Sequence, residues 1–214
     1  GQMPGDLWQK FANLRLLFGL QFTTSGKKLQ FMGSEIAQWN EWKHDGEIDW
    51  VLRTFPAHEG IRRLVCDLNR LYVAHECLYK SETQSDGFQW IVGDDNTNCV
   101  LVFIRQTLDK SQKMIVVANL TPAPHSNYRV GVPEPGMYKE VLNTDGDWYG
   151  GSGMGNLGGV KSLKVPSHGY EQSVEVNVPP LSVTVFLCTP MPEAPVAKTV
   201  TAKATVVAKK IPKS

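Results

Sequence analysis

The sequence predicts an α/β plus all-β fold, in which a helix–strand–helix segment precedes an antiparallel β-sandwich. Two apolar stripes at helical spacing flank a short apolar run within residues 1–80. Over residues 84–189, short alternating or apolar runs are separated by clusters of Gly, Asn and Asp, which is typical of antiparallel strands and turns. Residues 190–214 are rich in Ala, Val, Lys and Pro, and we expect them to form a disordered tail.

The first predicted helix begins after Asp6, a residue type that favours the N-cap position. Apolar residues recur at helical spacing as far as Phe18, and the run 23–26 ends the helix. Residues 28–32 then predict a short buried strand, which a glycine ends.

A second helix is predicted over about 57–79, because Pro56 favours the first helical position and an apolar stripe follows it. A helix, a tight turn, a strand and a long polar loop are the pattern of a parallel sheet or a β/α barrel. In such folds the loops at the carboxyl ends of the strands carry the chemistry.

The long loop at the end of the predicted strand, residues 31–50, has an unusual composition. It holds three of the six tryptophans of the chain together with carboxylates and an amide. Indole rings stack on the C–H faces of sugars and carboxylates accept hydroxyl protons, so this loop indicates a sugar-binding surface. The alternative is that the tryptophans cover the apolar end of a sheet.

Seven strands are predicted in the second half, at 88–92, 99–104, 114–118, 128–132, 137–142, 173–178 and 183–187. Between them, residues 150–159 are rich in glycine and contain a GxGxxG-like spacing. No parallel strand precedes this spacing and no βαβ unit surrounds it, so we predict a loop and not a phosphate-binding site.

Composition excludes several classes of function. A net charge of +1 gives no general case for nucleic-acid binding, and no apolar run is long enough for a membrane span. The five histidines have no metal-ligand spacing, so neither a metal nor another cofactor is expected. The four cysteines show no CxxC spacing, and we expect free thiols in a reducing, cytoplasmic compartment. The oligomeric state is left open.

Several long runs carry a resemblance to a known family. These runs are MPGDLWQKFANLRLLFG (3–19), GKKLQFMGSEIAQWNEWKHDGEIDW (26–50), VCDLNRLY (65–72), GFQWI (87–91), VANLTPAPHSNYRVGVPEPGMYKEVLNTD (117–145), YGGSGMGN (149–156) and SHGYEQSVEVNVPPL (167–181). In this colinear order, the sequence resembles the C-terminal part of the glycogen (1,4-α-glucan) branching enzyme family of the α-amylase superfamily. The resemblance covers about residues 3–188.

The resemblance implies an architecture and an activity. Residues 1–80 are expected to be the last helix–strand–helix portion of a (β/α)8 catalytic barrel, and residues 84–189 the C-terminal all-β domain. The family cuts an α-1,4 glucan through a covalent aspartyl intermediate and transfers the chain to a 6-hydroxyl. Its three catalytic carboxylates lie on earlier barrel strands, the last in an HDE-type motif, so we expect them upstream of residue 1. The catalytic residues are therefore expected to be absent from this chain, which alone would be inactive.

The partner that the resemblance implies is an α-glucan, either glycogen or a linear chain. Within the polar loop we predict that Glu41 and Trp42 contact this substrate. In the β domain we predict that Trp90 is a peripheral glucan platform, with Trp148 and Tyr149 as weaker candidates. Packing into the core is the alternative for each of these aromatic residues.

The resemblance also bears on the stability of the two parts. A quarter of a barrel exposes the apolar stripes of its helices, so we expect residues 1–80 alone to be poorly stable and residues 84–189 to fold independently.

A non-catalytic glucan-binding protein is the main alternative function. A different enzyme of the superfamily, such as a debranching enzyme, is a weaker one that the runs YRVGVP and LNTD disfavour.

Overall fold

The computed structural model describes residues 3–41 and 44–190. Helix α1 spans Leu7–Thr23, and its N-cap is confirmed as Asp6. The Asp6 carboxylate accepts the backbone N–H of Gln9 at 2.8 Å, and the Gln9 side chain accepts the N–H of Asp6 at 3.1 Å. This reciprocal capping box satisfies two donors that the first helical turn would otherwise leave without a partner. Most of the predicted tail, residues 191–214, lies outside the described part of the chain.

Helix α2 spans Pro56–Ala74, with Pro56 in the first helical turn as predicted. Its predicted end near residue 79 is wrong. His75 has an extended backbone (φ −126°, ψ 108°) that breaks the helix, and a 3-10 turn at Glu76–Leu78 follows. This turn still buries the end of the apolar stripe. Further 3-10 turns lie at Ser34–Ile36, Trp50–Thr54, Ser85–Gly87 and Asp147–Tyr149.

The strand predicted at residues 28–32 is not present. Residues 27–31 have no assigned helix or strand, and within the described chain no strand pairs with them. A strand is stabilised by hydrogen bonds to a neighbouring strand. Here the carbonyl of Leu29 instead accepts a hydrogen bond from the Gln21 side chain, and Leu29 is 74% exposed.

All seven predicted strands of the second half are confirmed, with small shifts at their ends. The strands are β1 Phe88–Asp95, β2 Val100–Gln106, β3 Lys113–Asn119, β4 His125–Val132, β5 Gly136–Asn143, β6 Gly159–Lys161, β7 Gln172–Val178 and β8 Ser182–Pro190. Strand β6 was not predicted. It has three residues beside the glycine-rich run, too few to show an alternating pattern.

The strands form two antiparallel sheets, as the sandwich prediction required. The larger sheet has the order β1-β2-β3-β8-β5-β6, and β4 pairs with β7 in the smaller one. Strand β3 shows how the layers are built. Met114, Val116 and Ala118 face a core shared with the two helices, whereas Ile115 and Val117 face a core shared with the smaller sheet. The described residues therefore form three layers: helices, large sheet and small sheet.

The two predicted parts of the chain share the helix-side core. Phe11, Phe18 and Phe22 of α1 lie in the same cluster as Val183 and Val185 of β8. The boundary between residues 80 and 84 and the independent folding of 84–189 stay predictions. Separation at that boundary would expose one face of the large sheet together with the inner faces of both helices.

Candidate functional site

A groove of about 740 Å³ runs between α1 and the loop that follows it. Its apolar wall comes from α1, and its polar rim includes Gln38, Asn40 and Glu41. Glu41, the first predicted substrate contact, is exposed at this rim. The second, Trp42, lies outside the described residues. The structure therefore places only one member of the predicted pair.

The wall of this groove is held by aromatic and backbone contacts around His58. The Trp39 ring meets the rings of Phe11 and His58 edge-on, at centroid distances of 5.7 and 5.2 Å. His58 Nδ1 lies 2.8 Å from the carbonyl oxygen of Ile36. Because a carbonyl only accepts, Nδ1 carries the proton in this contact. These contacts fix the loop against α1 and α2, so Trp39 is partly a packing residue.

Trp90 lies on β1 at a second, separate cleft of about 570 Å³. Its ring is 52% exposed and meets Phe88 and Phe103 edge-on, at 5.0 and 5.6 Å. Phe88 and a set of polar residues line the rest of the cleft, namely Thr24, Ser25, Glu82, Thr83, Gln84 and Ser85. The Glu82 side chain is only 3% exposed. An exposed indole beside hydroxyl and amide groups is suited to a sugar ring.

A charged network lies beside the Trp90 cleft and was not predicted. Glu82 forms an ion pair with Lys27 at 2.8 Å and accepts a hydrogen bond from the Tyr72 hydroxyl at 2.6 Å. Burial raises the pKa of Glu82, but the hydrogen bonds from Lys27 and Tyr72 outweigh it and lower the pKa overall. Burial lowers the pKa of Lys28 to about 8, and Arg105 adds to this by repulsion. Glu82 is therefore a carboxylate acceptor at neutral pH.

Arg105 connects this network to the helices. Its side chain is fully buried, and it donates to the carbonyl oxygens of Thr23 at 2.7 Å and Leu78 at 3.1 Å. A single arginine within the apolar run of β2 was the available sequence signal. Its partners are 82 and 27 residues away, so only the folded chain shows them.

The glycine-rich run is a tight loop, as predicted, folded around Asp145. The backbone N–H of Ser152 donates to Asp145 at 3.0 Å, and the Ser152 hydroxyl also donates to this carboxylate. Arg15 of α1 reaches Asp145 at 3.9 Å with both side chains buried. Burial lowers the pKa of Arg15 to about 10 despite the nearby Asp145 charge. The Asp145 carboxylate therefore lies beside the buried Arg15 guanidinium and accepts hydrogen bonds from Ser152 of the loop.

The weaker candidate Tyr149 is wrong as a glucan contact. Its ring is only 3% exposed, and its hydroxyl donates to Asp67 of α2 at 2.7 Å, so it anchors the loop to the helix. Burial is also the main reason that the pKa of Tyr149 is raised. Trp148 beside it is 57% exposed.

The predicted contacts do not form one site. The groove at Glu41 and the cleft at Trp90 share no lining residue. Within residues 3–41 and 44–190, no group of three or more His, Cys, Asp or Glu side chains is arranged to hold a metal ion. Over the same residues, no helix is long and apolar enough to cross a membrane.

Comparisons with protein-family models and with curated proteins point to related families. Residues 90–189 match the model described as the alpha amylase C-terminal all-beta domain. The chain is 50% identical over 186 residues, or 87% of its length, to the 1,4-alpha-glucan branching enzyme GlgB of Trichodesmium erythraeum. It is 48% identical over 183 residues to the GlgB protein of Aquifex aeolicus. The expected resemblance is thereby confirmed.

The similarity covers only the C-terminal region of these relatives. The chain spans 24% of the Trichodesmium protein and 29% of the Aquifex protein. Among solved structures, a crystal structure of AmyP in complex with maltotriose aligns with a TM-score of 0.57 over 86% of this chain and 36% of that one. At 14% identity this likeness supports the fold alone.

Proposed function

We propose that this chain is the C-terminal region of a 1,4-α-glucan branching enzyme. The whole protein would cleave an α-1,4 glucan and transfer the chain to a 6-hydroxyl, which forms α-1,6 branches in glycogen synthesis. The observation that carries the proposal is identity near 50% over 186 residues, across both the helices and the β domain, to a relative named for this activity.

In this proposal residues 1–80 form the last helix–strand–helix portion of a (β/α)8 barrel. Three apolar residues in the segment 28–32, which forms no strand here, are exposed, namely Leu29, Phe31 and Met32. Their exposure supports this placement, because the eighth strand of a barrel is apolar and buried between neighbouring strands. The exposed Leu17 of α1 supports it as well. The other barrel strands would supply the strand pairing that residues 28–32 do not have among the described residues.

The chain then contributes substrate contacts, and the catalytic carboxylates lie upstream. Glu41 and Trp42 would contact the glucan near the barrel cleft, and Trp90 would contact it at the β domain. At Trp90 the indole would stack on a glucose ring while the neighbouring hydroxyl and amide side chains bind sugar hydroxyls. Free cysteines support placement of the protein in the cytoplasm.

Replacement of Trp90 by alanine is expected to weaken glycogen binding without unfolding the domain. Loss of one stacking contact of about 0.5–1.5 kcal/mol corresponds to roughly a threefold to tenfold rise in Kd. Affinity electrophoresis in glycogen-containing gels measures the change, and circular dichroism checks the fold. A matched control is Leu108→Ala, which removes an equally exposed apolar side chain that lines neither cleft. An unchanged Kd for Trp90→Ala would remove this residue from the binding surface.

The gene tests the proposal against a non-catalytic glucan-binding protein. We expect the reading frame to continue upstream of the Gly1 codon into a barrel strand with an HDE-type motif. A start codon with a ribosome-binding site directly at this position would contradict the proposal and favour the non-catalytic alternative. Sequencing of the locus decides between them.

A further inference from the structure

Two exposed indoles lie at the tight loop of residues 146–153, one within the loop and one hydrogen-bonded to it. Trp148 is 57% exposed, and Trp8 at the start of α1 is 37% exposed. The Trp8 Nε1–H donates to the carbonyl oxygen of Gly150 at 3.1 Å, which joins the two tryptophans through the same loop. Neither indole lines the Glu41 groove or the Trp90 cleft.

Both indoles are fixed in position. Trp148 lies so close over Gly146 that a Cβ there would be 3.0 Å from its ring. On its other flank it meets the buried Tyr149 ring at 5.4 Å, and Tyr149 is itself bonded to Asp67. The Arg15 guanidinium lies 5.7 Å from the Trp8 ring centroid, a cation–π contact. Rigid aromatic side chains lose little conformational entropy when they bind a ligand.

We propose that Trp148 and Trp8 form a second contact surface for α-1,4-glucan chains, distinct from the Trp90 cleft. This inference rests on the proposed function, because it takes the same ligand class. The surface has features that suit a glucan: exposed indoles for the sugar C–H faces, and the exposed Asp147, next to Trp148 in the chain, as an acceptor for sugar hydroxyls. An exposed carboxylate at this surface disfavours a purely apolar partner, which would offer it no hydrogen-bond donor.

The two glucan surfaces lie at opposite ends of α1. Trp8 is in its first turn, and Thr24, which caps its C-terminus, lines the Trp90 cleft. Sixteen residues of α-helix span about 24 Å. A long or branched glucan that reaches both surfaces gains affinity through effective concentration, whereas a short oligosaccharide occupies one surface at a time.

The test measures glycogen and maltotriose binding by this chain and by Trp148→Ala, with circular dichroism as the check on folding. We expect the Kd for glycogen to rise roughly threefold to tenfold, as for loss of one aromatic contact. We expect the combined Trp90→Ala and Trp148→Ala variant to bind glycogen more weakly than either single variant. Leu157→Ala is the matched control, because Leu157 is fully exposed in the adjoining loop and offers no ring.

Four outcomes would overturn the inference. Unchanged glycogen affinity in Trp148→Ala, with weakened binding in Trp90→Ala, would reject this surface and leave the proposed function standing. An equal loss in Leu157→Ala would show that apolar exposure and not ring stacking is responsible. A changed sedimentation coefficient with unchanged glycogen affinity would assign Trp148 to contact with a second copy of the chain. Absence of glycogen binding by the unaltered chain would reject both proposals together.

Discussion

Replacement of Arg105 by methionine is expected to lower the free energy of unfolding by about 3 kcal/mol, because a buried acceptor left without a donor costs about 1–3 kcal/mol. Two such acceptors, the carbonyls of Thr23 and Leu78, lose their donor in this variant. Methionine keeps most of the apolar length of the side chain. Burial disfavours the charged guanidinium and lowers the pKa of Arg105. Replacement by methionine removes this cost of burying a charge, which offsets part of the loss of stability.

Chemical denaturation measures this change, with Arg129→Met as the matched control. Arg129 is also a strand arginine, but it is partly exposed, pairs with Glu175 at the surface and donates to the Ser173 hydroxyl at 2.9 Å. An exposed ion pair contributes about 0–1 kcal/mol and a typical hydrogen bond about 1 kcal/mol, so the control is expected to lose less stability than Arg105→Met. Equal losses in the two variants would contradict the assigned role of Arg105 in joining the sheet to the helices.

The second large effect is expected at Gly60 of α2. An added Cβ would lie 2.5 Å from the carbonyl oxygen of Tyr149, which is backbone and cannot rotate away. On helix propensity alone, alanine at this position would stabilise by about 1 kcal/mol. The close contact reverses the sign, and we expect Gly60→Ala to destabilise by about 1–3 kcal/mol, as overpacking does.

Thermal unfolding of Gly60→Ala, compared with Val73→Ala, tests this reversal. Val73 lies on the same helix but is 71% exposed, so its replacement by alanine tests helix propensity at a position that is not closely packed. We expect a neutral or slightly stabilised Val73→Ala and a clearly lowered Tm for Gly60→Ala. A raised Tm for Gly60→Ala would mean that α2 and the 147–149 turn are not held as close as the structure shows.

Local sequence signals were sufficient for the elements whose partners are also local. Asp6 and Pro56 marked the helix starts, and alternating or apolar runs between turn clusters predicted the seven longer strands. The run 28–32 has the composition of a strand, yet pairing decides whether a strand forms, and the described residues provide no neighbour for it. The three-residue β6 likewise forms because β5 is beside it.

For the candidate sites, too, the sequence predicted local features but not the contacts that form between distant segments. Trp90 was predicted to lie on an early strand, and it lies on β1 with 52% exposure, while its role as a glucan platform stays a prediction. The polar groups around it were not predicted, because Glu82, Thr24 and Ser25 come from separate segments that only the tertiary fold brings to one cleft. The fixing of Trp8 to the glycine-rich loop joins residues 142 positions apart, and no sequence periodicity indicates it.

In the function that we propose, this chain supplies glucan contacts to a branching enzyme whose catalytic carboxylates lie upstream of residue 1. The most direct test counts α-1,6 linkages formed from amylose by the product of the complete reading frame and by this chain alone. We expect the complete product to form branches, and this chain to bind the polymer but form none. Branch formation by this chain alone would contradict the proposed function, and so would a complete product that forms no branches.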